Sequence, residues 1–375
     1  MPQSQPEEKA EKSISTKAAN EKEEPAKKST STKEETEIEE LTETSISTKS
    51  VSASDVFLGT TFTLEMGFCV GPEHKPFTGD FDGDGNEDLM FHNSKTGSKK
   101  IYYASCDGSF NGDRSWRREM NFCYVSGYDL YIGDFNGDGR SDMLCHRPQT
   151  GQIWVALVQP GGVFTANPWA YSPSWCKATT DKVYIGDFNA DGRDDILCHT
   201  QSSGYIAIYY ALYTGYFSTS TTYRYTRSMS WCRGTYQRVY TGDFNGDRRV
   251  DMLCHDYSNG YIYVAVATVT GGFTSATWSR SMGWCKHSNS KLSIGDFNKD
   301  NRDDIMCSDT NGPYWIAFSL YNGSFSSTKS WTRKQNWCTS GNDVLVSDVN
   351  GDGGDDLMCH NEADGIKYIS INHKA

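Results

Sequence analysis

One short acidic phrase occurs six times in this 375-residue chain. The copies begin at Gly79, Gly133, Gly186, Gly242, Gly295 and Ser347, and the second copy reads GDFNGDGRSDMLCH. Successive copies start 54, 53, 56, 53 and 52 residues apart. Such a regular period is typical of a repeat architecture, in which each unit buries its apolar surface against its neighbours.

Each repeat carries the pattern of short strands and shows no sustained helical period. In the second copy we predict strands at residues 130–132, 143–146, 153–157 and 164–169, separated by Gly, Asn and Asp turns. Four strands in about 53 residues form one antiparallel sheet, which is the content of a propeller blade. The sequence therefore predicts an all-β fold of six four-stranded blades.

The two ends of the repeat region indicate how the ring closes. The last copy stops after its third strand, at residues 368–371, whereas FTLEMGFC from Phe62 aligns with WSRSMGWC from Trp278. We expect the amino-terminal segment to supply the missing fourth strand of the last blade. Closure of this kind leaves no exposed sheet edge.

Residues 1–50 differ sharply in composition from the rest. They contain no Phe, Trp, Tyr or Cys, and carry 12 Glu and 8 Lys. Such a segment buries too little apolar surface to offset its ordering entropy. We predict a disordered tail over residues 1–50 and a propeller over residues 51–375. No apolar run approaches the ~20 residues of a membrane span, and no secretory signal is visible.

The acidic phrase has the donor pattern of a cation loop. Counting from the residue after its first Gly or Ser, side-chain oxygens stand at positions 1, 3, 5 and 9. Alternate oxygen donors around a Gly-bearing turn favour Ca²⁺ over Mg²⁺, with a main-chain carbonyl at position 7. We expect up to six calcium ions, held by Asp80, Asp82, Asp84, Asp88, Asp134, Asn136, Asp138, Asp142, Asp187, Asn189, Asp191, Asp195, Asp243, Asn245, Asp247, Asp251, Asp296, Asn298, Asp300, Asp304, Asp348, Asn350, Asp352 and Asp356.

The six loops are not equivalent, and they are not EF-hands. Position 12 is Phe or Cys instead of the bidentate Glu of that motif. Arg248 replaces Gly at position 6 of the fourth loop, where a positive φ would strain it, so this is the weakest of the six predicted sites. Asn301 at the same position of the fifth loop is better tolerated. The alternative is that these loops are ordinary Asp-Gly turns.

The phrase resembles the FG-GAP or VCBS repeat, which occurs in the propeller heads of integrin α subunits and in secreted propellers such as fungal lectins. The resemblance covers about residues 55–375. It implies a β-propeller with calcium between the first and second strands of each blade, and extracellular recognition as the common role. Integrin heads have seven blades, so that kinship is architectural.

Eleven of the twelve cysteines recur at two repeat positions, before the first strand and within the second, and the twelfth, Cys106, lies outside this pattern. One pairing joins these two positions within a blade, giving Cys123–Cys145, Cys176–Cys198, Cys232–Cys254, Cys285–Cys307 and Cys338–Cys359, with Cys69–Cys106 as a variant in the first blade. In the other, each strand cysteine pairs forward, as in Cys145–Cys176, and Cys359–Cys69 closes the ring. The near-constant separation of 22, 22, 22, 22 and 21 residues favours the first. Zinc is a further alternative, although no CxxC pair occurs. Disulfides imply an oxidising compartment and hence secretion.

Two further sets of side chains are candidates for ligand contact. An aromatic residue precedes the first cysteine of each blade, as in Trp175, Trp231, Trp284 and Trp337, and a histidine follows the strand cysteine, as in His146, His199, His255 and His360. The rings could stack on sugars and the imidazoles could bind hydroxyl groups. The alternative is that the rings pack blade against blade and the histidines make structural hydrogen bonds.

The near identity of the blades favours a binding protein. Repeated equivalent sites give avidity for a multivalent target such as glycans or glycoproteins. Catalysis requires one asymmetric constellation, and neither GxSxG nor HExxH occurs, so we expect no enzyme. Two alternatives are an adhesion or matrix protein with protein partners, and a secreted hydrolase or lyase that uses the propeller channel. The net charge of −12 and the absence of a basic stripe argue against nucleic acid.

Overall fold

The computed structural model consists of β-strands and their connections. It describes residues 56–57, 61–65, 70–120, 122–164, 168–172, 176–178, 180–218, 224–273, 275–308, 314–327, 330–333, 338 and 342–373. The predicted tail over residues 1–50 lies outside these ranges. Within them the chain forms no helix, and therefore none that could cross a membrane.

The first three blades follow each other in chain order. Blade 1 contains β2 (His74–Gly79), β3 (Asp88–Asn93), β4 (Ser98–Ala104) and β5 (Phe110–Glu119). Blade 2 contains β6 (Asp129–Gly133), β7 (Asp142–Arg147), β8 (Gln152–Ala156) and β11 (Trp169–Tyr171). Blade 3 contains β12 (Asp181–Gly186), β13 (Asp195–Thr200), β14 (Tyr205–Tyr209) and β15 (Arg224–Ser228).

The last three blades complete the ring. Blade 4 contains β16 (Gln237–Gly242), β17 (Asp251–Asp256), β18 (Tyr261–Ala265) and β19 (Trp278–Ser281). Blade 5 contains β20 (Lys291–Gly295), β21 (Asp304–Ser308), β22 (Tyr314–Ala317) and β23 (Trp331–Arg333). Blade 6 contains β24 (Asn342–Ser347), β25 (Asp356–Asn361), β26 (Ile366–Ser370) and β1 (Phe62–Glu65).

The pairing of β1 with β26 confirms the predicted ring closure. The two strands are antiparallel, with Phe62 opposite Ile369 and Glu65 opposite Ile366. The amino-terminal strand therefore completes the sixth blade. The predicted count of six blades, each an antiparallel sheet of four strands, is also confirmed.

The fourth strand of blade 2 differs from the prediction. Phe164 does not belong to it, because Val163–Phe164 (β10) pairs with Val158–Gln159 (β9) in a separate two-stranded hairpin. The hairpin begins where the main-chain N–H of Val158 donates to the carboxylate of Asp142, which turns the chain out of the main sheet. The fourth strand starts only at Trp169.

Each blade has two ends with different chemistry. The first and second strands are joined by an acidic loop at one end, called here the acidic end. The cysteine that precedes the first strand approaches the other end, called here the cysteine end. The second strand between them is buried along almost its whole length, as in β7 and β17, because neighbouring sheets cover both of its faces.

A closed circle of hydrogen bonds joins the blades at the acidic end. The main-chain N–H at position 8 of each acidic loop donates to the carbonyl at position 1 of the preceding loop, at 2.6 to 2.9 Å. The six bonds run from Ser141 to Asp80, Asp194 to Asp134, Val250 to Asp187, Asp303 to Asp243, Asp355 to Asp296 and Glu87 to Asp348. The last of them links blade 1 to blade 6, so the circle is complete.

The circle requires close approach at the residue that starts each loop. A Cβ added to Gly133 would lie 2.7 Å from atoms of both Asp194 and Ile185 in the next blade. Glycine is therefore needed there for steric reasons. The sixth loop starts with Ser347 instead, and its hydroxyl bonds the carboxylate of Glu87.

The apolar core lies mainly between neighbouring blades. Position 2 of five acidic loops is a fully buried phenylalanine, which meets another phenylalanine edge-on. The pairs are Phe81–Phe164, Phe135–Phe217, Phe188–Phe273, Phe244–Phe325 and Phe297–Phe57. In the first four, the partner follows the third strand of the next blade. Each acidic loop is thus anchored in the apolar core through its second residue.

Candidate metal loops and ligand surface

The carboxylate at position 1 organises each acidic loop. In the second loop, Asp134 Oδ1 accepts the N–H groups of Gly137 and Asp138 at 2.7 and 3.2 Å, and Oδ2 accepts that of Gly139 at 2.8 Å. The N–H at position 6 bonds position 1 in all six loops. This contact holds position 6 at positive φ, including 66° at Arg248 and 59° at Asn301. The conformation expected to strain Arg248 is therefore present.

The carboxylate at position 9 is buried and connects three parts of a blade. Asp251 in β17 is 0% exposed. Its Oδ2 accepts the N–H of Phe244 at 3.2 Å, and its Oδ1 accepts that of Ala267, beyond the third strand, at 2.7 Å. The other five loops repeat both bonds at Asp88, Asp142, Asp195, Asp304 and Asp356.

Burial makes the ionised form of these aspartates costly. It raises the pKa to about 8 at Asp88, Asp142, Asp251, Asp304 and Asp356, against the two main-chain hydrogen bonds at each, and it raises the pKa of Asp195 well above its usual value. Either a proton or a bound cation would compensate the buried charge. Positive charge at the acidic end would therefore stabilise these buried carboxylates.

The residues present fit a hard cation. In the first loop, carboxylate oxygens of Asp80, Asp82 and Asp88 lie within 4.8 Å of one another. In the fifth loop, the buried side-chain oxygen of Asn298, at position 3, has no hydrogen-bond partner among the described residues. Oxygen atoms of this kind suit calcium. In the first loop the structure brings three of the four predicted donors together, and calcium binding itself stays a prediction.

In the second to sixth loops a basic side chain of the protein itself contacts the carboxylate at position 5. The sequence analysis missed these contacts. In the second to fifth loops the arginine at position 7 pairs with the aspartate two residues before it, as Arg193 does with Asp191. Position 7 of the sixth loop is Gly354. There Lys299, from the fifth loop, reaches across and places its Nζ 2.9 Å from Asp352 Oδ2.

Position 8 also carries acidic groups that the sequence analysis did not single out. Carboxylate oxygens of Asp194, Asp303 and Asp355 accept the main-chain N–H at position 1 of the preceding loop at 2.7 to 2.8 Å. Burial raises the pKa of Asp194 and Asp303 to about 7 and that of Asp355 well above its usual value. These side chains strengthen the circle that joins the blades.

Five disulfides confirm the first of the two predicted pairings. They are Cys123–Cys145, Cys176–Cys198, Cys232–Cys254, Cys285–Cys307 and Cys338–Cys359, with Cα–Cα distances of 5.3 to 5.8 Å. This pairing excludes forward bridges such as Cys145–Cys176 and leaves these cysteines unavailable for zinc. Five such bonds suggest an extracellular environment.

The predicted sixth bridge, Cys69–Cys106, is wrong, because Cys106 forms no disulfide. Cys106 is an exposed free thiol in the turn that follows β4 at the acidic end. Cys69 lies outside the described residues, and the free thiol of Cys106 is what overturns the predicted bridge.

The histidines proposed as ligand contacts prove to be inaccessible. His146, His199, His255 and His360 are at most 3% exposed. His255 Nε2 donates to the carbonyl of Cys285 in the next blade at 2.8 Å, and His92 does the same to Cys123. Burial lowers the pKa of His255 to about 4, so its imidazole is neutral. The geometry corrects the ligand role to a structural one, because a sugar cannot reach these rings.

The predicted aromatic contacts are only partly described. Trp175 and Trp337 lie outside the described residues. Trp284 is 8% exposed and packs against Trp315, and Trp231 is half-buried in the core of blades 3 and 4. Burial at Trp284 favours blade packing over sugar stacking, which corrects the prediction for this residue.

Among the residues with a described burial, the most exposed apolar side chains lie instead at the acidic end. A four-residue turn, called here the hairpin tip, follows the third strand, and its second residue is Tyr213, Val269 or Tyr321 in blades 3, 4 and 5, each 81 to 83% exposed. A Cβ on the tip residue Gly215 would lie 3.2 Å from Asn136 Cβ in the acidic loop of the preceding blade. Each of these tips ends in Gly-x-Phe, starting at Gly215, Gly271 and Gly323, and the sequence analysis did not use this signal because it followed the acidic phrase.

Comparison with known families identifies the repeat. The model for the FG-GAP-like repeat matches residues 80–145, 134–198, 187–254 and 243–307, which together cover more than half of the chain. The chain belongs to the FG-GAP-like repeat family. The four matches each span from one acidic loop to the second strand of the next blade. No curated protein matches the sequence of this FG-GAP propeller significantly.

Solved structures show the same architecture at low sequence identity. A lectin of Agrocybe aegerita that recognises non-reducing terminal N-acetylglucosamine superposes with a TM-score of 0.53, at 16% identity, over 82% of each chain. The Tc holotoxin pore of Photorhabdus luminescens gives a TM-score of 0.57 at 12% identity, over 82% of this chain and 14% of that one. Identities this low support the shared propeller fold alone.

Proposed function

We propose that this FG-GAP propeller is a secreted, calcium-stabilised, multivalent glycan-binding protein without catalytic activity. The observation that carries the proposal is the repetition of exposed tip side chains, Tyr213, Val269 and Tyr321, at equivalent positions on consecutive blades. A tyrosine offers an apolar ring face and a hydroxyl group, which suit a sugar with C–H and O–H surfaces. Equivalent weak sites on one molecule bind a branched target with avidity.

Two further observations support a sugar as the ligand. A cavity of about 680 Å³ at the acidic end is lined by polar groups that can bind hydroxyls, among them Arg248 and Asn301, which are not predicted calcium ligands. The lectin that shares the fold recognises N-acetylglucosamine, which makes terminal amino sugars the first ligands to test. The five disulfides favour secretion.

A glycan array with the full chain tests the proposal. We expect binding to defined glycans in calcium, with a large loss for the double variant Tyr213→Ala/Tyr321→Ala. The matched control is Tyr236→Ala, because Tyr236 is 57% exposed at the cysteine end of blade 4 and should not affect binding. Retained binding by the double variant would contradict the tip assignment. Silence on the array with capture of a protein partner would support adhesion, and turnover of a glycan would support an enzyme.

A further inference from the structure

In the second to sixth loops, the predicted calcium ligand at position 5 has a basic side chain beside it. In the third loop, Asp191 accepts the main-chain N–H of Arg193 at 3.1 Å on one oxygen and the guanidinium of Arg193 on the other. The same two bonds recur at Asp138, Asp247 and Asp300. A positive charge therefore lies against the proposed metal ligand.

The sixth loop has lost the arginine and receives its cation from the neighbouring blade. Gly354 occupies position 7, and a Cβ there would lie 2.5 Å from Lys299 Cε, so the lysine fills the space that an arginine side chain would need. Lys299 Nζ lies 2.9 Å from Asp352 Oδ2. The lysine adopts φ of 62° at position 4 of the fifth loop, a conformation that glycine takes at this position in the first, second, fourth and sixth loops.

We propose that these basic side chains compete with the metal ion for the carboxylate at position 5, and that Lys299 of the fifth loop sets the calcium affinity of the sixth loop. The inference rests on the proposed calcium binding. A lysine or arginine side chain beside position 5 neutralises the carboxylate when no metal is bound. The same positive charge repels a divalent ion that coordinates this carboxylate. Both side chains of the pair are only partly exposed, at 24 and 36%, so solvent screens the interaction incompletely.

Calcium titrations of the full chain test the proposal, with affinity measured by chelator competition and ion number by native mass spectrometry. Lys299→Gln should tighten one calcium site about tenfold, with the gain reduced at high salt. Lys299→Arg keeps the charge and should match the wild type. In an Asp352→Asn background the effect of Lys299→Gln should disappear, because the lysine acts through that carboxylate.

Arg193→Gln tests the same competition within a single loop, because Arg193 and its partner Asp191 both belong to the third loop. This variant should also raise the calcium affinity of one site. Unchanged or weaker calcium binding in both Lys299→Gln and Arg193→Gln would overturn the competition. An effect of Lys299→Gln that persists with Asp352→Asn would overturn the action on the sixth loop. Binding by the variants but not by the wild type would support the competition while overturning calcium as a resident ion, and no binding by any of them would overturn both proposals.

Discussion

At the cysteine end, blades 2 to 6 are each held by a disulfide and by buried side chains, whereas at the acidic end all six blades are held by carboxylates that accept main-chain N–H groups. Covalent bonds and neutral imidazoles respond little to ions or to pH near neutrality. Buried carboxylates respond to both. We therefore expect the contacts at the acidic end to depend on pH and on ions more strongly than those at the cysteine end.

The largest expected effect that separates the two ends is a pH dependence in metal-free buffer. The pKa of Asp251 is about 8 in the folded protein because of burial, and unfolded aspartate titrates near 4. Stability from this group is fully present below about pH 4 and is lost as the pH rises through about 8. All six loops have a buried aspartate at this position, and a shift of one pKa unit corresponds to about 1.4 kcal/mol. The free energy of unfolding should therefore fall by several kcal/mol, on the order of a few pKa units, between pH 5 and 8. Urea unfolding at each pH measures it, and a rise in stability with pH would contradict the account.

Removal of one disulfide should have the next largest effect, at the cysteine end only. Replacing Cys232 and Cys254 by serine opens a bridge with a sequence separation of 22 and should cost about 3 kcal/mol in the free energy of unfolding. The effect of calcium on stability should remain unchanged. Cys106→Ser is the control and should leave stability as it is, since that thiol is exposed and free.

At the acidic end, Asp251→Asn should destabilise the metal-free protein by ~1–3 kcal/mol, because an amide cannot accept both N–H groups of Phe244 and Ala267. The variant should also bind one calcium ion fewer. Asp256→Asn, at the opposite end of the same strand, is the matched control and should keep the full ion number. Equal ion numbers in the two variants would remove position 9 from the metal site.

The smallest expected effect concerns Lys99, which is 0% exposed at a position that Ile153 fills in blade 2. Burial lowers the pKa of Lys99 to about 7. The contribution of neutral Lys99 to the free energy of unfolding is therefore fully present above about pH 10 and is lost as the pH falls through 7. Lys99→Met should therefore gain stability relative to the wild type as the pH decreases over this range. Thermal melts at several pH values would show it, with the exposed Lys95→Met as the unaffected control.

The sequence predicts the fold more completely than the site. Blade number, ring closure and five disulfides follow from periodicity and spacing, because a repeat fixes which residues occupy equivalent places. The burial of His255 and the reach of Lys299 to Asp352 depend on contacts between blades, which no single repeat contains. The tips, such as the one with Tyr213, recur with the same length before Gly-x-Phe, but the exposure of their side chains depends on the packing of the blades and cannot be read from that pattern.

Calcium dependence of the melting temperature tests the central claim most directly. The oxidised full chain would be heated at pH 8 in excess calcium and in excess chelator, with the disulfides intact in both. We predict a much lower melting temperature in chelator, restored by calcium and not by magnesium, because each site saturated at about 100 times its Kd adds ~2.7 kcal/mol to the native state. The same melting temperature in both solutions would contradict the claim that cations hold the acidic end together.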